Sequence, residues 1–471
     1  MKRVYFIFIL LFFSTFSFAQ ERIFSLQECI DTAIKNSIEV RQSVLLTKTS
    51  AINHNQSKAN LLPDLNGIVS HGINRGRSID PFTNSFVNQK ISYANYGIGS
   101  GLVLFNGFSF RNTIRQAALA YDASRLELQQ EKDELTLSVI LAYLQVLNNE
   151  DLLEVARQQV DVSKLQLERI EKLNKQGAID PPQLHEIIGQ LKDNELGVID
   201  NSNALELSKL NLARLMNISY SAKIKLERTG IQEIPDPPSE ESGVLYSKAI
   251  GHLAGIKAAG LRTRSNEFAI SASRGRLFPT LSFHSNLNTN FSSIATRDLL
   301  LGTTEITTSN YVIINGTQVP VIAKQNNYIS SKINYGSQLN NNIFSNLALT
   351  LRIPLFNSFQ ARNQVRLAEV QHESARLLEE SVQIQLRQQI EEAHLLLLNA
   401  YKRYLVLNEQ VHAFKEAFRA AEIRFNAGVG TSIDYILAKN NYDRSNVNLV
   451  IARYDFLLRR QVINYFTGQV N

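Results

Sequence analysis

One segment of the chain begins like a catalytic metal motif, namely His185-Glu186-Ile187-Ile188-Gly189. A zinc-protease helix needs a second histidine four residues after the first, so that both imidazoles face one metal ion. Gly189 stands at that position, so the metal-binding pair is incomplete. The chain also contains no phosphate-binding Gly-Lys-Ser loop and no Gly-x-Ser-x-Gly turn. These observations predict a protein without catalysis, cofactor or metal.

Several short sequence motifs occur twice in the chain, in the same order. Leu-Phe-Asn-Gly-Phe at 104–108 returns as Leu-Phe-Asn-Ser-Phe at 355–359, an offset of 251 (355 − 104). Upstream, the segment around Pro63 returns around Pro279, an offset of 216 (279 − 63). The second copy therefore holds 35 additional residues (251 − 216) between its proline and its Leu-Phe-Asn motif. An internal repeat of this kind predicts two structurally equivalent halves.

This repeat predicts the domain organisation. Residues 20–228 form a first repeat and residues 244–471 a second. Residues 229–243 are predicted to be a linker, because three closely spaced prolines interrupt any helix there. Residues 1–19 are predicted to be a signal peptide.

The first residues have the composition of a secretory signal. Lys2 and Arg3 precede an apolar run, and small residues occupy Ser17 and Ala19 near a predicted cleavage site after Ala19. The apolar run is shorter than the roughly 20 residues of a membrane-spanning helix. We therefore expect export from the cytoplasm, which sequencing of the mature N-terminus checks.

Charge and cysteine content exclude two further classes of protein. The chain carries 49 Lys and Arg against 43 Asp and Glu, a formal net charge of +6 spread along 471 residues. That balance does not favour nucleic-acid binding. The single cysteine, Cys29, cannot form an internal disulfide, and we expect a partly buried helix residue.

Two pairs of strands are predicted, within about 64–105 in the first copy and at about 280–292 and 337–355 in the second. Apolar residues alternate with Ser, His and Asn, which is the period of a strand. Such two-faced strands fit a membrane barrel with lipid outside and water inside, or equally a half-buried soluble sheet. Four strands cannot close a barrel, whereas three chains supply twelve. The 35 additional residues are polar and predict a long loop at the outer surface.

Two very long helices follow the strands. No proline or glycine occurs between Phe110 and Lys175, and one helix of that length spans about 100 Å. Apolar residues recur every seven positions in both copies, which indicates coiled-coil packing. Gly177 and Gly428 then interrupt the helices and predict hairpin tips with a left-handed backbone, each followed by a returning helix. An ordinary coiled-coil rod would not account for the strands at the helix ends.

This order resembles the TolC family of outer-membrane efflux proteins. The opening Ser25-Leu26-Gln27-Glu28-Cys29-Ile30, the motif at 104–108 and the segment 425–435 all resemble regions of that family. The likeness covers nearly all of the chain after the signal peptide. It implies a mainly α fold with a membrane β-barrel portion: a homotrimer with a coiled-coil helical barrel and a twelve-stranded barrel in the outer membrane, extending into the periplasm. It also implies a passive conduit that works with a periplasmic adaptor and an inner-membrane pump.

The resemblance also assigns residues to the periplasmic entrance. Asp434 matches a family aspartate, and three copies would form an acidic ring that favours cations. Leu437 stands where many members have a second aspartate, and Gly430 where one well-known member has an arginine that locks the entrance. The hairpin tips that would contact the adaptor carry four residues of interest: Gly177, Asp180, Gly428 and Val429. The alternative function is a soluble periplasmic coiled-coil scaffold or adaptor, with an enzyme a distant third.

Overall fold

The computed structural model describes residues 23–80, 83–177, 181–220, 224–228, 234, 236–237 and 240–469. The predicted signal peptide, most of the predicted linker and Asp180 lie outside the described residues. The chain forms two compact units. One contains residues 53–117 and 267–370, and the other contains the described parts of 23–52, 118–266 and 371–469.

The nine described helices follow the predicted doubled order, and they are numbered along the chain. They are α1 (Leu26–Asn36), α2 (Ile38–Ala59), α3 (Ser109–Lys175), α4 (Pro181–Leu215), α5 (Ser242–His252), α6 (Ala254–Gly275), α7 (Tyr335–Asn341), α8 (Gln360–Asn426) and α9 (Ser432–Thr467). None of these helices is both long enough and apolar enough to cross a membrane.

Ten described strand segments complete the fold. They are β1 (Ile23–Phe24), β2 (Asn66–Asn74), β3 (Arg77–Ile79), β4 (Phe86–Asn88), β5 (Ile91–Phe105), β6 (Lys225–Leu226), β7 (Thr280–Ser292), β8 (Thr296–Ile314), β9 (Thr317–Lys332) and β10 (Phe344–Arg352). Four of them make one antiparallel sheet in the order β10-β7-β5-β2.

The register of this sheet keeps its two predicted faces apart. Leu351 lies opposite Leu281 and Leu349 opposite Phe283, so the apolar residues share one face. On the other face Asn346 lies opposite Asn286. Since a slip of one residue would exchange the faces, the alternation in the sequence specifies this pairing. The predicted strands of both copies are therefore present in one sheet.

The structure corrects the prediction for the additional residues of the second copy. Instead of a polar loop, β8 and β9 form a long antiparallel ribbon. The returning strand begins at Phe344 and not near 337, because α7 occupies 335–341 with Asn334 as its N-cap. The alternation was hidden because two irregularities interrupt the register, one at Leu300/Gly302 and one at Thr307/Tyr311.

The recurring Leu-Phe-Asn motif lies at the junction between a strand and the long helix that follows it. Gly107 has φ +64°, and a Cβ there would lie 2.3 Å from the carbonyl oxygen of Gly275. Position 107 therefore requires glycine for two reasons: the positive φ angle, and the close approach of the Gly275 carbonyl group. In the second copy Ser358 and Phe359 hold left-handed conformations with φ of 53° and 62°.

The long helices have the predicted lengths, and α3 buries its predicted seam more completely than α8 does. Both α3 and α8 contain 67 residues, or about 100 Å at 1.5 Å per residue. In α3 one of the predicted seven-residue series is buried throughout: Ala142, Asn149, Ala156, Ser163 and Ile170. In α8 the other predicted series is buried at Ile390, Leu397 and Val411, whereas Tyr404 and Phe418 of the same series are only partly buried.

The segment Ser25-Leu26-Gln27-Glu28 starts helix α1 through hydrogen bonds between its own side chains and backbone. The Ser25 hydroxyl accepts a hydrogen bond from the Glu28 amide at 3.2 Å, and the Glu28 carboxylate accepts one from the Ser25 amide at 3.1 Å. This capping box satisfies two amides that the first turn of α1 leaves without partners. Cys29 follows it in the core, where burial raises the pKa of its thiol to about 12.

Candidate functional site at the helix ends

The end of α8 is closed by its own backbone. Gly428 has φ +76°, as predicted for a tip glycine. The amides of Val429 and Gly430 both donate to the carbonyl oxygen of Arg424, at 3.0 and 3.1 Å. These bonds satisfy the Arg424 carbonyl group, which the end of the helix would otherwise leave free. A Cβ on Gly430 would lie only 3.0 Å from the backbone nitrogen of Phe425, so this position has little space for a side chain.

The returning helix α9 starts immediately after this turn. Thr431 is its N-cap, and its hydroxyl accepts a hydrogen bond from the Asp434 amide at 3.1 Å. Asp434 is solvent-exposed in the first turn, where a carboxylate interacts favourably with the helix dipole. Leu437 lies nearly one turn further along and is also exposed. The chain therefore presents a carboxylate and an apolar side chain at neighbouring exposed positions.

The tip of the first hairpin is built in a similar way. Gly177 has φ +70°, and its amide donates to the Asn174 carbonyl at 3.0 Å. The conformation predicted for both tip glycines is thus confirmed. Asp180 is outside the described residues, and α4 begins at Pro181, whose fixed φ suits a first helical position.

A contact that sequence reasoning missed joins the two hairpins near their tips. The Arg169 guanidinium on α3 donates to the Asn426 amide oxygen at the end of α8. The same guanidinium lies 5.9 Å from the ring centroid of Phe425, within cation–π range. These partners are 257 residues apart in the chain, and no local pattern marks them as a pair.

An aromatic cluster lies behind the exposed Asp434. The Tyr435 ring lies 5.2 Å from Phe425 and 5.4 Å from Phe418, centroid to centroid. Burial, reinforced by the nearby Glu422 carboxylate, raises the pKa of Tyr435 well above its usual range. The Tyr435 hydroxyl therefore stays protonated. A cleft of about 250 Å³ lies beside these residues, between α3, α8 and α9.

The side chains at the tips are of types that bind through charge, hydrogen bonds and apolar contact. Within the described ranges no three His, Cys, Asp or Glu side chains converge as a metal site. His185, the start of the incomplete zinc motif, is exposed near the beginning of α4. The tips offer a carboxylate, a guanidinium, an amide and exposed aliphatic side chains, which bind ions and protein surfaces.

Comparison with known proteins identifies the group to which this architecture belongs. The family model described as outer membrane efflux protein matches residues 29–217 and 245–469. The outer membrane efflux protein BepC of Brucella suis biovar 1 is 20% identical over 455 residues, covering 93% of this chain and 84% of that protein.

Two solved structures share the fold. The Campylobacter jejuni CmeC outer membrane channel gives a TM-score of 0.74 at 15% identity, covering 95% of this chain and 86% of that one. A membrane protein from Pseudomonas aeruginosa gives 0.73 at 18% identity, covering 94% and 93%. The predicted family, the mainly α fold with a strand portion and the location in the outer membrane are confirmed, whereas the predicted trimer is not tested by a single chain. Because the family model matches both copies of the repeat, the chain belongs to the outer membrane efflux protein family.

Proposed function

We propose that this protein is the passive outer-membrane duct of a tripartite export system and works as a homotrimer without catalysis. A periplasmic adaptor would dock on the hairpin tips, and an inner-membrane pump would supply the energy. The observation that carries the proposal is an asymmetry between the two long helices. Leu144 on α3 is 7% exposed, whereas its repeat equivalent on α8, Leu395, is 59% exposed.

The exposed face of α8 is extensive for a helix in a single chain. Nine large apolar side chains of α8 are exposed, against two on α3. Those on α8 are Leu367, Val370, Leu377, Leu378, Ile384, Leu395, Leu405, Val406 and Ile423. An apolar surface of this extent is characteristic of a protein interface.

The internal repeat indicates which surface would cover it. In the chain, Arg262 on α6 makes a two-bond ion pair with Glu127 on α3, both bonds at 2.8 Å. The repeat offsets convert this pair into Leu46 (262 − 216) and Leu378 (127 + 251). Both leucines are exposed, at 60% and 64%. A head-to-tail ring places α8 of one copy against α2 of the next, which brings these two leucines together.

The same argument gives the register between strands of adjacent copies. Within the chain Gly99 on β5 lies opposite Asn286 on β7. The offsets convert this pair into Thr350 (99 + 251) and Ser70 (286 − 216). β10 and β2 are the two edges of the described four-stranded sheet, so both have backbone groups to offer. We infer that Thr350 of one copy lies opposite Ser70 of the next, which closes a barrel.

The tips supply a surface suited to an adaptor. Val429 in the turn and Ile433 and Leu437 on α9 are all exposed. Ile433 and Leu437 are four residues apart in the helix and therefore share one side of it. We propose that these side chains, with Gly428, and the first tip at Gly177 and Asp180 contact the adaptor. Single cysteines at these positions should crosslink to the periplasmic adaptor in cells. Persistent absence of crosslinks from every tip position would contradict the proposal.

We propose that contacts within each chain hold the periplasmic entrance closed. Three copies of Asp434 would form an acidic ring, whereas Gly430 and Leu437 offer no side chain for an ionic lock. The Arg169–Asn426 hydrogen bond instead ties the second hairpin to the first. Opening would require that contact to break.

Electrical recording tests the duct directly. Purified protein in a planar bilayer should conduct ions without nucleotide, and Arg169→Ala should lengthen or increase the open state. Arg157→Ala, an exposed position on the same helix, is the control. Protein that stays monomeric and never conducts would favour the alternative, a periplasmic scaffold.

A further inference from the structure

The ribbon of β8 and β9 has an uncharged, apolar apex. Residues 306–323 contain no Asp, Glu, Lys, Arg or His. The apex turns through Asn315 and Gly316, whose φ angles of 50° and 82° suit a two-residue hairpin turn with matching strand twist. Six exposed side chains dominate it: Tyr311, Val312, Ile313, Ile314, Val321 and Ile322.

The base of the ribbon is firmly held. Gln338 on α7 is almost completely buried. Its side-chain oxygen accepts from the Ser292 amide at 2.9 Å, and its nitrogen donates to the carbonyls of Ser292 and Ile333 at 3.0 and 2.9 Å. One side chain thus joins the last residue of β7 to the segment that follows β9. The ribbon therefore leaves the sheet from a fixed point, at the end of β7 away from the helix junction.

Both edges of the ribbon are open. In the described part of the chain no third strand pairs with β8 or β9. An isolated two-stranded hairpin is only marginally stable in water, and an open edge is a template for another strand. Val312 lies opposite Val319 and Tyr311 opposite Pro320, so apolar side chains occur on both faces. The apex therefore lacks both a hydrogen-bonding neighbour and an apolar cover.

The chemistry of the apex distinguishes among possible partners. Lipid chains could cover the side chains but could not hydrogen-bond the open edges. The basic residues that anchor proteins at a membrane surface are absent from 306–323. A second copy of the same ribbon supplies both a strand edge for hydrogen bonding and apolar side chains for cover. Because the apex carries no charge, two copies do not repel each other.

We propose that the apical parts of the ribbons of adjacent copies pair edge to edge and form a collar over the outer mouth of the duct. This rests on the proposed homotrimer. Three ribbons that point the same way place β9 of one copy beside β8 of the next in antiparallel directions. Barrel width grows with strand number, so six strands make a narrower ring than the twelve below. The collar therefore constricts the mouth.

A fluorescent reporter at the apex tests the collar. Ile313→Cys in the full chain, labelled with pyrene maleimide and purified as the detergent-solubilised trimer, should give strong excimer emission. Cys29 is buried and contributes no label. Leu355→Cys is the control, because its side chain is even more exposed than that of Ile313 but lies at the helix junction. There, equivalent residues of adjacent copies are about 20 Å apart, four strands at about 4.8 Å each.

Lysine substitutions at the apex of the ribbon provide a second test of the collar. With the reporter in place, Val312→Lys and Ile322→Lys put like charges on the ribbon, one on each face. The trimer should persist, and the excimer-to-monomer ratio should fall several-fold.

Each outcome has a distinct meaning. A stable trimer without excimer overturns the collar and leaves the duct intact. Excimer that increases with protein concentration indicates contacts between trimers and also overturns it. Quenching of the apex label by nitroxide lipids would assign the apex to the membrane instead. If the unsubstituted chain forms no trimer, the proposed duct fails first and the collar fails with it.

Discussion

The two copies of the repeat have nearly the same backbone plan but opposite surroundings. α3 of the first copy buries sixteen residues, and α6 of the second copy packs on it within the same chain. The equivalent pair, α2 and α8, has no such contact in the single chain and exposes leucines instead. One seam of the doubled structure is thus completed by folding. In the proposed trimer the other seam would be completed by assembly, where apolar contacts would replace an ion pair.

The largest expected effect comes from placing a charge in the open seam. Leu378→Glu should abolish the heat-sensitive trimer on gels, because an unpaired carboxylate at an interface costs about 3 kcal/mol or more at each contact. The matched control is Glu127→Leu at the equivalent position of the closed seam. Its partly exposed ion pair contributes about 1 kcal/mol or less, so the trimer should survive. A trimer unaffected by Leu378→Glu would show that the exposed leucines of α8 do not form the contact between copies.

A covalent test addresses the strand register. Ser70→Cys combined with Thr350→Cys should form a disulfide between copies and give a crosslinked trimer on non-reducing gels, since opposed strand residues meet the Cα spacing of a disulfide. Ser70→Cys with Leu351→Cys is the control, because its side chains point to opposite faces. Crosslinking of the control alone would mean that the seam between copies does not repeat the seam within the chain.

Substitutions of the two tip glycines should have a smaller effect, on the stability of each hairpin. Gly428→Val and Gly177→Val should each destabilise their hairpin by about 1–3 kcal/mol, since a β-branched residue at positive φ is strained. Gly189→Ala in the middle of α4 meets no atom within 4 Å and should be neutral or stabilise slightly. Chemical unfolding followed by circular dichroism measures all three. Equal stability of all three variants would count against a structural need for glycine at the tips.

The smallest expected effect concerns ion selectivity. Asp434→Ala should lower the preference for cations without changing trimer yield, because three carboxylates would be removed from the entrance. Asp161→Ala, on an exposed face of α3, is the control. Reversal potentials in a salt gradient report the ratio. Identical selectivity in both variants would show that Asp434 only stabilises the first turn of α9.

Much of the fold could be predicted because its signals are local. The stretch without proline or glycine marked α3 to within a residue, and alternation marked the faces of β7 and β10. The candidate site was only partly predictable. The tip glycines were recognised from their spacing, whereas the bond between Arg169 and Asn426 was not, because it joins segments 257 residues apart. The sequence predicts a loop where the structure has a ribbon, because bulges break the alternation of its strands.

The sequence by itself determined the doubled order, the helix lengths, the two-faced strands and the positions of the tip turns. Each depends on periodicity or backbone freedom within a few residues. Only the tertiary structure decided which heptad positions are covered, which leucines remain exposed and where the additional residues of the second copy extend. Those properties depend on which distant segments pack together. The physical reason is that burial is a property of pairs of surfaces, and a chain pattern specifies only one surface of each pair.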